Sequence, residues 1–148
     1  MSAPEFARER LIRFSDCDPA GIVFYPQYFV MLNGLIEDWF NEGLGVAYHA
    51  LVMERRVGLP TVRLEVDFRA VSRLGDRVLL TLQVERLGQK SLTLALQCRS
   101  LDGELRLSAR QVIVTTSLDT HESITIPPDV RNAIERSAVT VAHLTSNP

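Results

Sequence analysis

A chain of 148 residues, 46% hydrophobic and 23% charged, has enough apolar material for one packed domain and too little polar excess for disorder. A formal net charge of -2 gives no electrostatic reason to expect nucleic acid or an anionic membrane as a partner. Two cysteines, Cys17 and Cys98, are too few for a disulfide framework. His49, His121 and His143 are scattered, none paired with a cysteine at ligand spacing. Free thiols in a cytoplasmic protein with no metal site are therefore expected. The stretch from Met1 to Arg13, broken by Pro4, Glu5, Arg8, Glu9 and Arg10, does not read as a signal peptide. No apolar run is long enough to span a bilayer.

In chain order, the first predicted element is a strand from Ala7 to Phe14, ended by the turn formers Ser15 to Gly21. Pro26 then stands where a first helical residue would stand. Phe29, Leu32, Leu35, Ile36, Trp39 and Phe40 recur at helical spacing, and Gly43 and Gly45 read as the stop. This is the long central helix. The stretch from Ala47 to Gly58 is looser, with room for a second, shorter helix.

Beyond Pro60, Val62, Leu64, Val66 and Phe68 alternate with charged residues, a period of two. Leu74-Gly75-Asp76 turns into a strand from Val78 to Leu87, and Gly88-Gln89-Lys90 into another from Ser91 to Arg99. Asp102-Gly103 is a hairpin signal before a last strand from about Leu105 to Ser117. A short helix after Pro127-Pro128, through Arg136, and a frayed tail complete the chain. The expected organisation is one domain over 1–148, with its core in about 7–127. It is an α+β fold in which a four-strand antiparallel meander and the first strand wrap the helix.

The chemistry concentrates between Asp16 and Tyr25. Asp16 reads as a turn and capping residue. Asp18 is followed by Pro19, which stiffens the chain, by Gly21, which permits close backbone approach, and then by a helix start. Unpaired N–H groups at a helix N-terminus hold a polarised oxygen, and a nearby carboxylate attacks a carbonyl or activates water. Those are the two parts acyl transfer needs. Pro26 has no N–H, so the donors must come from earlier residues, with Phe24 and Tyr25 the candidates.

The run Asp16-Cys17-Asp18-Pro19-Ala20-Gly21-Ile22-Val23-Phe24-Tyr25-Pro26, with Tyr28 and Phe29 after it, resembles the signature of the 4-hydroxybenzoyl-CoA thioesterase family of hotdog-fold enzymes. The element order agrees with that resemblance from about Arg8 to Pro127. The resemblance implies a five-stranded antiparallel sheet wrapped around a long helix. It also implies hydrolysis of an acyl-CoA, an aromatic acyl group among the candidates, to free acid and coenzyme A. Asp18 would be nucleophile or general base, with the Tyr25 backbone N–H on the thioester carbonyl. No cofactor is implied, since coenzyme A is part of the substrate.

The same resemblance puts Lys90 and Ser91 on the coenzyme A phosphates, and Pro60 and Thr61 in a loop near the acyl pocket. Gly88 and Gln89 stand where related chains carry arginines, so Arg86 or Arg73 would have to compensate. Asn33 replaces the helical aspartate that holds a phenolic hydroxyl in the namesake enzyme, and an amide keeps hydrogen bonding while losing the charge. Glu37 reads as structural or secondary. The alternatives are a non-catalytic acyl-thioester-binding module and a thioesterase acting on acyl carrier protein. A single sheet around one helix leaves strand edges exposed. A homodimer is expected, with a tetramer as a dimer of dimers an extension of it.

Overall fold

In the computed structural model, residues 5–137 are described. A five-stranded antiparallel sheet takes the order β1 (Phe6–Leu11), β4 (Arg77–Leu87), β5 (Ser91–Ser100), β6 (Leu105–Val114) and β3 (Thr61–Phe68). Helix α1 (Tyr25–Asp38) lies against one face. Two short strands, β2 (Val57–Gly58) and β7 (Thr116–Ser117), pair separately, and α2 (Pro128–Arg136) closes the described chain.

The expected four-strand meander is corrected. Only β4, β5 and β6 follow one another, while β3 pairs with β6 at the far edge, Val66 opposite Ala109 and Phe68 opposite Leu107. β1 occupies the other edge, Phe6 opposite Leu82. The connection 69–76 must therefore cross the end of the sheet past β6 and β5 to reach β4. Turn chemistry at Gly75 read the local bend, but not which strand would accept β3.

Strict alternation along β5 sends Leu92, Leu94, Leu96 and Cys98 into the core. These meet Leu80, Leu82 and Val84 from β4, Leu107 from β6, and the helix residues Met31, Leu32, Leu35, Ile36, Trp39 and Phe40. Full burial of each such side chain stabilises by about 1.5–3 kcal/mol, which holds the helix on a sheet it meets through side chains alone. The stripe is rotated from its expected phase: Tyr28 and Met31 are buried, while Phe29 is only half-buried at its border.

The ends of the elements also differ from the sequence expectations. β1 stops at Leu11 rather than Phe14, because Asp16 accepts from the Arg13 N–H (2.8 Å) and curls Phe14–Asp16 into a 3-10 turn. α1 begins at Tyr25 and continues with widened spacing over Trp39–Leu44. Gly45, at φ 67°, is the stop. Gly43 has a different reason: a Cβ there would come within 2.7 Å of the Trp39 ring. In the looser stretch, the second helical piece is Ala50–Glu54. The last strand breaks at Thr115, whose N–H and hydroxyl turn to the Lys90 carbonyl (2.9 and 3.2 Å). The expected tail lies outside the described residues.

Candidate active site

Between β1 and α1 the chain folds into a small hairpin. Cys17 pairs with Val23, the Asp18 N–H donates to the Ile22 carbonyl (3.0 Å), and the Gly21 N–H donates to the Asp18 carbonyl (2.9 Å). Gly21, at φ 76°, supplies the left-handed corner that a side chain would strain. Asp18 is half-buried near the tip, and its Oδ1 accepts from the Ala20 N–H at 2.9 Å. Asp16 is buried, 4% exposed, and spends its carboxylate on the Arg13 N–H (2.8 Å) and the Arg10 guanidinium (3.1 Å). Two carboxylates two residues apart thus occupy different environments, one closed and one open.

The helix start is bare. No side chain caps it, and Pro26 lacks an N–H. The Phe24 N–H donates to the Asp16 carbonyl at 2.9 Å, so the expectation of a second donor there is corrected: that group is already engaged. Among the described residues the Tyr25 N–H donates to no protein group. It is the first amide of a helix whose dipole puts partial positive charge at this end.

Around it, the Tyr25 ring meets Phe24, Phe29 and Phe68 edge-on at 5.5, 6.5 and 6.2 Å. Behind the start lies an open pocket of about 250 Å³, lined by Val23, Tyr25, Tyr28, Phe68, Val71 and Ser72. On the far side of Phe29 a second cleft, of about 370 Å³, brings together Phe29, Leu32, Asn33, Thr61, Leu64 and Gln111. Both lie near the size range of small-molecule sites. Asn33 and Thr61 were singled out from sequence, and here they share one wall. Gln111 was missed. Its amide donates to Thr61 Oγ1 at 2.7 Å. A glutamine on the inward register of β6, between Ala109 and Ile113, is the signal that could have found it.

The remaining candidates sit elsewhere in the chain. Lys90 is exposed in the β4–β5 turn, next to Ser91, and the Pro60 carbonyl accepts from Val114 N–H at 3.1 Å. All three belong to the end of the sheet where β4 finishes. Asp18 and Tyr25 belong to the end where β4 starts, because Ile22 bridges Arg73 and the Asp76 carbonyl accepts from Ile12. Ten residue steps separate Arg77 from Leu87, about 33 Å of strand. One chain therefore does not bring Asp18 and Lys90 together. Arg73 is likewise at the Asp18 end and does not reinforce Lys90, whereas Arg86 stands four residues before it on the same strand end. Glu37 is exposed about 18 Å along the helix from Tyr25, away from the hairpin.

Among the described residues no group of three or more His, Cys, Asp or Glu side chains could hold a metal ion. None of their helices is long and apolar enough to cross a membrane.

A family model described as the thioesterase-like superfamily matches residues 12–134. The chain belongs to this superfamily. A 1,4-dihydroxy-2-naphthoyl-CoA hydrolase of Synechococcus elongatus is 31% identical over 86 residues, 57% of this chain and 62% of that one. A 4-hydroxybenzoyl-CoA thioesterase of a Pseudomonas species is 29% identical over 90 residues, 60% of this chain and 64% of that one. The chain thus spans somewhat under two thirds of the length of these curated relatives. The solved structure of a gentisyl-coenzyme A thioesterase is 26% identical with a TM-score of 0.77, covering 86% of this chain and 98% of that one. The fold of this thioesterase-superfamily chain is the hotdog fold, with α1 as the filling and the five strands as the wrap.

Proposed function

We propose that this thioesterase-superfamily protein hydrolyses an acyl-CoA thioester to a free acid and coenzyme A, using Asp18 and the Tyr25 N–H. The observation that carries the reading is the unengaged Tyr25 amide at an uncapped helix start, beside a hairpin that presents one open carboxylate. The amide stabilises the oxygen of the thioester carbonyl as it gains negative charge. Asp18 acts either as nucleophile or as general base. In the first case it forms a mixed anhydride, expels the coenzyme A thiolate, and is freed by water. In the second it takes a proton from water as that water attacks. Both routes use the same two groups.

The site is completed by a second copy of the chain. β3 is an edge strand whose helix-side residues Leu64 and Phe68 are 41% and 52% exposed, continuous with exposed Tyr25 and Val30. The opposite edge, β1, is charged and tied by Glu9 to Arg77. A two-fold pairing of β3 edges runs them antiparallel, so the Phe68 end of one copy meets the Thr61 end of the other. Asp18 and Tyr25 of one copy then face Asn33, Thr61, Gln111 and Lys90 of its mate. This removes the 33 Å problem, with the acyl group in the cleft and the nucleotide toward Lys90 and Ser91. The cleft is apolar apart from neutral amides and a hydroxyl. That lining suits an uncharged acyl group, aromatic ones included, and penalises one bearing a carboxylate, which would lose its water without gaining a cation.

The test is thiol release from a panel of benzoyl-, hydroxybenzoyl-, short aliphatic, long aliphatic and succinyl-coenzyme A. The reading expects turnover of uncharged acyl groups, with succinyl poorest. Absence of thiol release across the panel would refute it.

A further inference from the structure

The crossing 69–76, which the sheet order makes necessary, is also the floor on which the Asp18 hairpin rests. The Ser72 carbonyl accepts from Val23 N–H (2.9 Å), the Leu74 N–H donates to the Gly21 carbonyl (2.9 Å), and Ile22 bridges Arg73. The crossing is itself held by one residue of β6. Arg106 Nη1 donates to the Val71 carbonyl (2.9 Å), to Ser72 Oγ (3.3 Å) and to Asp76 Oδ2 (3.1 Å). The Arg106 carbonyl accepts from the N–H groups of Arg69 and Ala70 (2.9 and 3.1 Å). The guanidinium side chain is only 13% exposed.

Ser72 links this clamp to the helix. It is 1% exposed, and its hydroxyl also accepts from the Tyr28 phenol at 3.0 Å. Tyr28 is one turn past Tyr25 on α1. A serine hydroxyl has two acceptor sites, and Arg106 and Tyr28 occupy both. A buried network of this kind favours one arrangement, and loss of one member leaves a polar group of its partner unpaired.

We infer that Arg106 is a positioning residue for the hydrolysis proposed above, setting the Asp18 hairpin and the Tyr25 amide in register through Ser72 and Tyr28. This inference rests on the reading of Asp18 and Tyr25 as the reacting groups. Its side chain points at the crossing and touches no reacting atom. Misplacing a donor or base by an ångström weakens contacts made chiefly in the transition state, so the loss belongs in kcat rather than KM.

The experiment compares Arg106→Met, Arg106→Lys, Tyr28→Phe and Ser72→Ala with Leu51→Ala, a core truncation away from the hairpin that lowers stability by another route. Well below each melting temperature, Arg106→Met and Tyr28→Phe are expected to lower kcat about tenfold or more, with KM changed no more than about threefold. Leu51→Ala should keep kcat. Arg106→Lys should recover only part, since an ammonium can replace the donors of Nη1 but not also the guanidinium Nε that lies 2.8 Å from Glu104 Oε1. The double variant Tyr28→Phe with Arg106→Met should fall short of the product of the single losses, because both act through Ser72. Unchanged kcat in Tyr28→Phe and Ser72→Ala, which delete single hydroxyls and should fold even if Arg106→Met does not, would overturn the inference. If Asp18→Asn is inactive while these retain kcat, only the positioning role fails. If Asp18→Asn remains active, the reading of the reacting groups fails instead.

Discussion

Replacing Asp16 separates a carboxylate that builds the loop from the one proposed to react in it. Its two oxygens accept from the Arg13 N–H at 2.8 Å and the Arg10 guanidinium at 3.1 Å, at 4% exposure. A hydrogen bond to a buried charged group is worth about 1.5–3 kcal/mol. The Arg10 side chain is 38% exposed, so its share is discounted for solvent screening. Asp16→Ala should then cost about 2–3 kcal/mol in total, while Asp16→Asn, which keeps an oxygen for Arg13, should cost about 1 kcal/mol. For a chain of this size the two correspond to melting shifts of about 10 °C and about 4 °C. Thermal unfolding by circular dichroism gives the shifts, and thiol release at 20 °C below each midpoint gives the rate. Asp16→Asn is expected to keep kcat within about tenfold, because the hairpin still closes and Asp18 is untouched. An Asp16→Asn protein with an unmoved melting temperature and abolished turnover would refute the division, making Asp16 the reacting group.

Three further outcomes follow from the geometry. Asp18→Asn and Thr61→Arg homodimers should each be inactive, yet equal mixing with subunit exchange should restore about one quarter of wild-type activity, since half the dimers would carry one intact composite site. No recovery after confirmed exchange would place the whole site within one chain. Asn33→Asp should raise the preference for 4-hydroxybenzoyl- over benzoyl-coenzyme A, because a carboxylate is a stronger acceptor for a phenol than an amide; an unchanged ratio in steady-state kinetics would remove Asn33 from the acyl cleft. Burial pushes the Cys98 thiol up to about 11, above its ordinary value of 9.0. The folded state therefore keeps a proton that the unfolded chain releases, and stability should decline as pH rises from 9 to 11. In urea titrations Cys98→Ala should flatten that decline, and a decline as steep in the variant would assign it elsewhere.

Much of this molecule was legible because its signals are local. The alternation on β5, the helical stripe and the turn chemistry of 16–21 depend on near neighbours, and each element formed close to where its pattern stood. The placement of β3 was not legible, because its apolar alternation is equally served by β4 or β6 and only the whole sheet decides between them. The same holds at the site. Tyr25 as a free donor follows from Pro26 and helix geometry, but the loss of Phe24 depended on where the Asp16 carbonyl would lie. Arg106 gave no local sign of its role: it is one of several arginines in strand sequence, and its three acceptors come from a crossing 30 to 35 residues earlier.

The most direct test of the central claim is the turnover of Asp18→Asn against wild type on a shared acyl-coenzyme A substrate, with folding and dimer mass checked in the same preparations. Asparagine matches the carboxylate in shape and still accepts from the Ala20 N–H, so the hairpin should persist. The account predicts a fall in kcat of about 10²–10⁴-fold with the melting temperature held within about 2 °C. Turnover within about threefold of wild type in a folded dimer would contradict it.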